Sequence, residues 1–162
     1  MMAGRLGDIF GRRRLYAIGL LLFTVSSLLC GLAPDPVVLM LARVVQGVAA
    51  AVLSPQVLTI LGTAYTGLAR QRAFTAYGLV LASASVGGQL IGGLLIKADV
   101  AGLGWRSCFL INVPIGVLAL LLTPRVVPES RADGSGRLDI VGTVLVTLGL
   151  AAVVLPLVEG RE

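Results

Sequence analysis

The 162 residues are 57% hydrophobic and only 13% charged, with a mean hydropathy of +0.98, too little charge to cover a soluble domain of this size. The net charge of +5 does not point to nucleic acid, because aromatic content is 5% and the arginines sit between long apolar runs, as membrane-flanking charge does. There is no histidine, and Cys30 and Cys108 lie in apolar segments without metal-ligand spacing, so no metal or cofactor is expected and both thiols read as packing residues.

Residues 1–14 form a polar lead segment that includes Gly4, Gly7, Asp8, Gly11, Arg12, Arg13 and Arg14. Gly4 and Gly7 permit close backbone approach, Asp8 can cap a helix start or pair with an arginine, and Gly11 allows a tight turn. The bland reading of the same stretch is positive charge beside a membrane helix. Residues 15–160 then carry five apolar runs, near 15–34, 36–65, 73–96, 105–124 and 138–158. Each approaches or exceeds the ~20 residues needed to cross ~30 Å of hydrocarbon. Lipid offers the backbone no hydrogen bonds, so all five are expected to be helices of an all-α integral membrane protein.

The first run, after Arg12–Arg14 and before Gly31-Leu32-Ala33, loosely resembles a signal peptide. Pro34 would follow the cleavage point, Leu29 before Cys30 spoils a lipoprotein site, and four more runs follow, so the run is read as a retained span. The second run contains Arg43, followed by Gln46 and Gly47. A charge at mid-membrane costs about 2.5–3.5 kcal/mol on insertion scales. Arg43 lies only about two turns from Pro36, so snorkelling to the outer interface is one reading; a cation facing a substrate and proton path is the other. Gln46, one turn on, can share its polar face.

The third run places Ala84, Gly88 and Gly92 at i, i+4 and i+8, a small-residue stripe against which another helix can pack closely. In the fourth, Trp105 and Arg106 suit a membrane interface, Asn112 needs an interhelical partner, and Pro114 should kink the helix. The polar stretch 124–136 reads as an exposed loop, and Asp139 can sit at the positive end of the fifth helix dipole. With the N-terminus inside, Arg5, Arg12–Arg14, Arg70, Arg72, Arg125, Arg131 and Arg137 are cytosolic, against Lys97, Arg106 and Arg161 outside. That imbalance predicts a cytosolic N-terminus and an external C-terminus.

Taken in order, these features resemble the major facilitator superfamily, specifically its fourteen-helix drug:proton antiporters. Gly4, Asp8, Gly11, Arg12 and Arg13 are similar to the cytosolic loop between the second and third helices, with Ile9 where a basic residue is common. Arg43, Gln46 and Gly47 match the fourth-helix motif. Gly88-Gln89-x-x-Gly92-Gly93 resembles the fifth-helix antiporter motif, with Gln89 in place of the usual proline and Ala84 in place of an upstream glycine. Trp105, Arg106, Asn112, Pro114 and Gly116 resemble the sixth helix, and Leu138-Asp139-Ile140-x-Gly142 the seventh.

The resemblance implies part of the N-terminal half of a transporter in the plasma membrane, corresponding to helices three to seven. Its implied partners are the bilayer, small amphipathic or hydrophobic molecules, and protons. The chain has eight acidic residues, and all fall in loops or at span ends. With no histidine either, no mid-membrane proton relay is expected within these residues. The expectation is therefore a truncated or split exporter that depends on missing transporter portions and is inactive alone. A self-associating small transporter or channel, or a non-transporting partner of a full-length relative, are the alternatives. An enzyme is not expected, since there is no nucleophile–base pair, metal cluster or phosphate loop.

Overall fold

The computed structural model describes residue 7, residues 11–99 and 102–129, and isolated positions between 142 and 160. Helix α1 runs Arg12–Leu32, α2 Pro36–Ala64 and α3 Gly67–Ala98; a 3₁₀ turn at Gly104–Arg106 leads into α4, Ser107–Leu110, and α5, Asn112–Val126. Together Gly104–Val126 make one membrane-length segment, so the described residues contain four helical segments able to cross a bilayer and no strand. The expected fifth span, 138–158, lies largely outside the described residues, although its described positions between 142 and 157 are helical. Gly4, Asp8 and Asp139 also lie outside them.

Local chemistry explains the helix ends. Gly11 precedes α1 at φ 94°, a left-handed conformation that a Cβ would strain, and its N–H donates to the Gly7 carbonyl at 2.9 Å. Asp35 caps α2 by accepting from the Val38 N–H at 2.9 Å, with Pro36 in the first turn. Asp99 ends α3 at φ 41° and accepts the Gly104 N–H at 2.7 Å. The fourth segment breaks at Ile111, and Pro114 explains why: it has no N–H to give the Leu110 carbonyl four residues back. Pro55 imposes the same missing bond inside α2.

The exterior is largely apolar, with exposed leucines, valines or isoleucines along α1, α2, α3 and α5. Such a surface suits lipid rather than water. The packing is uneven. Helix α1 is the centre of the bundle, lying along α2 on one side and α4–α5 on the other. Its buried positions are mostly small: Gly19, Thr24, Ser26, Ser27, Cys30 and Gly31. No residue of α3 is buried.

Two glycines set the helix spacing. A Cβ on Gly31 would stand 2.6 Å from Leu110 Cδ2, and one on Gly116 would collide with Thr24 Oγ1 and come within 3.0 Å of its Cβ. By contrast, a Cβ on Gly47 or Gly88 would meet nothing within 4 Å. Gly116→Val should therefore lower stability by about 1–3 kcal/mol, the usual cost of overpacking, whereas Gly88→Ala should not. Unfolding in mixed detergent micelles, followed by helical circular dichroism, measures the difference; equal effects from the two substitutions would refute this account of the packing.

Candidate functional site

Helix hydroxyls normally satisfy themselves on their own backbone. Thr24 donates to the Leu20 carbonyl at 2.7 Å, Ser26 to Phe23 at 3.0 Å and Thr123 to Ala119 at 2.7 Å. Ser27 is placed differently. Its Oγ accepts from Gln46 Nε2 on α2 at 2.5 Å and, more weakly, from Asn112 Nδ2 on α5 at 3.5 Å. Gln46 turns its other atom, Oε1, toward Arg43, whose guanidinium donates to it at 3.0 Å. The Cys30 thiol also lies within 3.9 Å of that oxygen.

One polar chain thus joins three helices: the exposed Arg43, the buried Gln46 and Ser27, and the half-buried Asn112. Gln46 is only 5% exposed and Ser27 fully enclosed, so their bonds form in a low-dielectric setting where an unpaired partner is costly. The Arg43 guanidinium also sits 5.2 Å above the Phe109 ring, a cation–π contact from α2 to α4. Phe109 in turn meets Trp105 edge to face, with centroids 6.0 Å apart. Arg43 is therefore engaged by neighbours within the bundle. An open cleft of about 420 Å³ borders this group, lined by Arg43, Gln46, Gly47, Phe109 and Asn112 together with Phe23, Ala50 and Cys108.

The remaining motif residues occupy other places. Trp105 and Arg106 stand at the 3₁₀ turn, where Arg106 donates to the Ala33 carbonyl at 2.8 Å and so satisfies the C-terminal end of α1. Pro114 and Gly116 shape α5 as described above. Ala84, Gly88 and Gly92 line a second, larger opening of about 710 Å³ between α3 and α4–α5, while Gln89 and Gly93 are exposed outside it. There the Cys108 thiol approaches the Gly92 carbonyl at 3.6 Å. At the opposite end of the helices Arg13 pairs with Glu129 at 3.5 Å, linking the start of α1 to the segment after α5. Gly7 packs directly on the buried Gln56 side chain of α2. Arg12 lies in the first turn of α1.

Nothing in the sequence pattern singled out Ser27, Gln56 or Glu129. Ser27 is one of two adjacent serines in an apolar run, and only the helix crossing tells it from Ser26. Gln56 could have been noticed as an uncharged polar residue within a span.

The profile of the Major Facilitator Superfamily matches residues 1–158. The chain belongs to this superfamily. Across its whole length it is 41% identical to the probable actinorhodin transporter of Streptomyces coelicolor, 44% to the puromycin resistance protein pur8 of Streptomyces alboniger, and 41% to the multidrug resistance protein Stp of Mycobacterium tuberculosis. It spans 28%, 32% and 30% of those relatives, respectively. It is thus an integral membrane protein corresponding to roughly a third of a superfamily transporter.

The network predicts a contrast between adjacent serines. Ser27→Ala removes the shared acceptor of Gln46 and Asn112 and should cost about 1–2 kcal/mol. Ser26→Ala removes only a bond within its own helix and should cost much less. Micelle unfolding of both variants decides the matter, and comparable losses would count against an interhelical role for Ser27.

Proposed function

We propose that these helices form part of the substrate path of a proton-coupled exporter of small apolar or amphipathic molecules in the cell membrane. The observation that carries this reading is Arg43, a cation within a membrane span, held by Gln46 beside an open cleft. Such a charge is costly in lipid and is characteristically found where an ion or substrate passes. The names of the relatives, which speak of actinorhodin transport, puromycin resistance and multidrug resistance, support drug-like cargo. Arg43, Gln46 and Gly47 are the path residues in this reading. Gly4, Asp8, Gly11, Arg12 and Arg13 form the bracing cytosolic loop, and the N-terminus is cytosolic. No enzymatic chemistry is proposed.

The acidic residues of the sequence lie near span ends, so the carboxylate that exchanges protons is assigned to other parts of the assembled transporter. In proteoliposomes the 162-residue chain alone should show no substrate-dependent proton flux. A chimera in which it replaces the matching segment of the puromycin resistance protein should show flux, reduced at least about tenfold by Arg43→Ala. Flux from the chain alone, or undiminished flux in the Arg43 variant, contradicts the proposal.

Orientation has its own test. In a chain without its native cysteines, Val127→Cys should react with a membrane-impermeant maleimide in inside-out vesicles and not in intact cells. The reverse pattern inverts the topology.

The open face of α3 favours a second reading, in which a second copy covers Ala84, Gly88 and Gly92. Light scattering of the detergent-solubilised chain tests it, and a monomer at all concentrations rejects it.

A further inference from the structure

We propose that the cleft beside Arg43 selects small molecules carrying a carboxylate on an aromatic or otherwise apolar body. This rests on reading the cleft as part of the substrate path and names the class of cargo it suits.

The argument begins with how the polar atoms are oriented. Gln46 Nε2 is committed to Ser27, which fixes Oε1 toward Arg43. The amide therefore neutralises none of the arginine's charge and directs one edge of the guanidinium. Among the described residues Arg43 has no carboxylate partner, and the ion pair they contain joins Arg13 to Glu129 at the far end of the helices. The Asn112 amide also lines the cleft, its Nδ2 held only by the long 3.5 Å bond to Ser27. The remaining wall is apolar, chiefly Phe23, Phe109 and Gly47.

Among the described residues the cleft thus offers a cation, an amide and two aromatic rings, and no anion. In a low-dielectric surround a cationic ligand would meet like charge without compensation, whereas a carboxylate would meet a guanidinium suited to paired hydrogen bonds. A volume of about 420 Å³ falls within the range of small-molecule sites. A Cβ on Gly47 would meet nothing within 4 Å, so the α2 wall is open at that point to the body of the ligand.

The chain carries its own reporter. Trp105 is the only tryptophan, and it contacts the same Phe109 ring that Arg43 covers. The intact chain, held in nanodiscs of zwitterionic lipid, is titrated with 4-nitrobenzoate and separately with 4-nitrobenzyltrimethylammonium. These are two quenchers of similar shape and opposite charge. Saturable quenching of Trp105 by the anion, about tenfold or more stronger than by the cation, is expected. Arg43→Gln should abolish the preference, and Arg43→Lys should restore part of it. Phe109→Leu should weaken both ligands and leave the preference for the anion.

Anionic phospholipid in the discs tells a headgroup oxyanion from a free ligand. If the headgroup is the occupant, 4-nitrobenzoate loses affinity as the anionic fraction rises, and the site remains an oxyanion site supplied from the bilayer. Equal quenching by the two probes, no saturable quenching by the anion, or an unchanged preference in a helical, folded Arg43→Gln chain overturns the proposal. The comparison of probes in the unmodified chain needs no variant to fold. Because binding is read without a gradient, a chimera that fails to transport leaves this result standing. A chimera that transports while the chain shows no anion preference defeats this inference alone.

Discussion

The close approach of α1 to its neighbours is the constraint on which the rest of the structure depends. Lipid tails are as apolar as leucine, so burying hydrocarbon between two helices gains little in a membrane, and association rests on close contact and polar bonds. Helix α1 supplies both along one seam. Gly31 admits Leu110, and Gly116 on α5 admits Thr24, each at distances that leave no room for a methyl group. Between these two contacts lies Ser27, a side chain short enough to stay within the seam. Had either contact been held apart by a larger residue, the Ser27 hydroxyl could not bridge Gln46 and Asn112. The packing and the polar chain are one arrangement.

This seam explains which parts of the molecule could be read from sequence and which could not. Membrane helices announce themselves by length and hydropathy, so four spans were legible. The start of α3 at Gly67, ahead of the expected 73, differs because Arg70 and Arg72 extend the helix beyond its apolar stretch; hydropathy sees only the latter. Arg43, Gln46 and Asn112 were legible because polar groups in lipid demand partners. Their partner was not. Ser26 and Ser27 are chemically identical, and only the rotation of α1 against α2 and α5 sends one to its own carbonyl and the other across the bundle.

The small-residue stripe on α3 shows the reverse case. The pattern Ala84, Gly88, Gly92 implies a closely packed helix, yet among the described residues the stripe borders an opening of about 710 Å³, and no residue of α3 is buried. The small residues that pack closely within the described bundle belong to α1. Sequence spacing identifies a face on which a helix can approach; it does not name the helix that does so. A stripe that stays open suits a surface completed by another part of a transporter or by another chain. That matches a chain which spans about a third of the relatives it resembles.

Electrostatics then sets what such a fragment can do. Arg43 brings a positive charge into a span, where a charge at the centre costs about 2.5–3.5 kcal/mol and one nearer the end costs less. The hydrogen bond to Gln46 and the Phe109 ring face offset part of that cost, since a charged hydrogen bond contributes about 1.5–3 kcal/mol and a desolvated cation–π contact can reach about 2 kcal/mol. Neither contact removes the charge. The charge fixes the electrostatic potential of the cleft. In the proposed path it lowers the pKa of any carboxylate that approaches, and that carboxylate competes with any other anion in the cleft for the guanidinium. In the proposed path these two effects link an anion in the cleft to the protonation of an acid elsewhere. The Gln46–Ser27–Asn112 chain matters to this coupling because it holds the charge in one place while the occupant of the cleft changes.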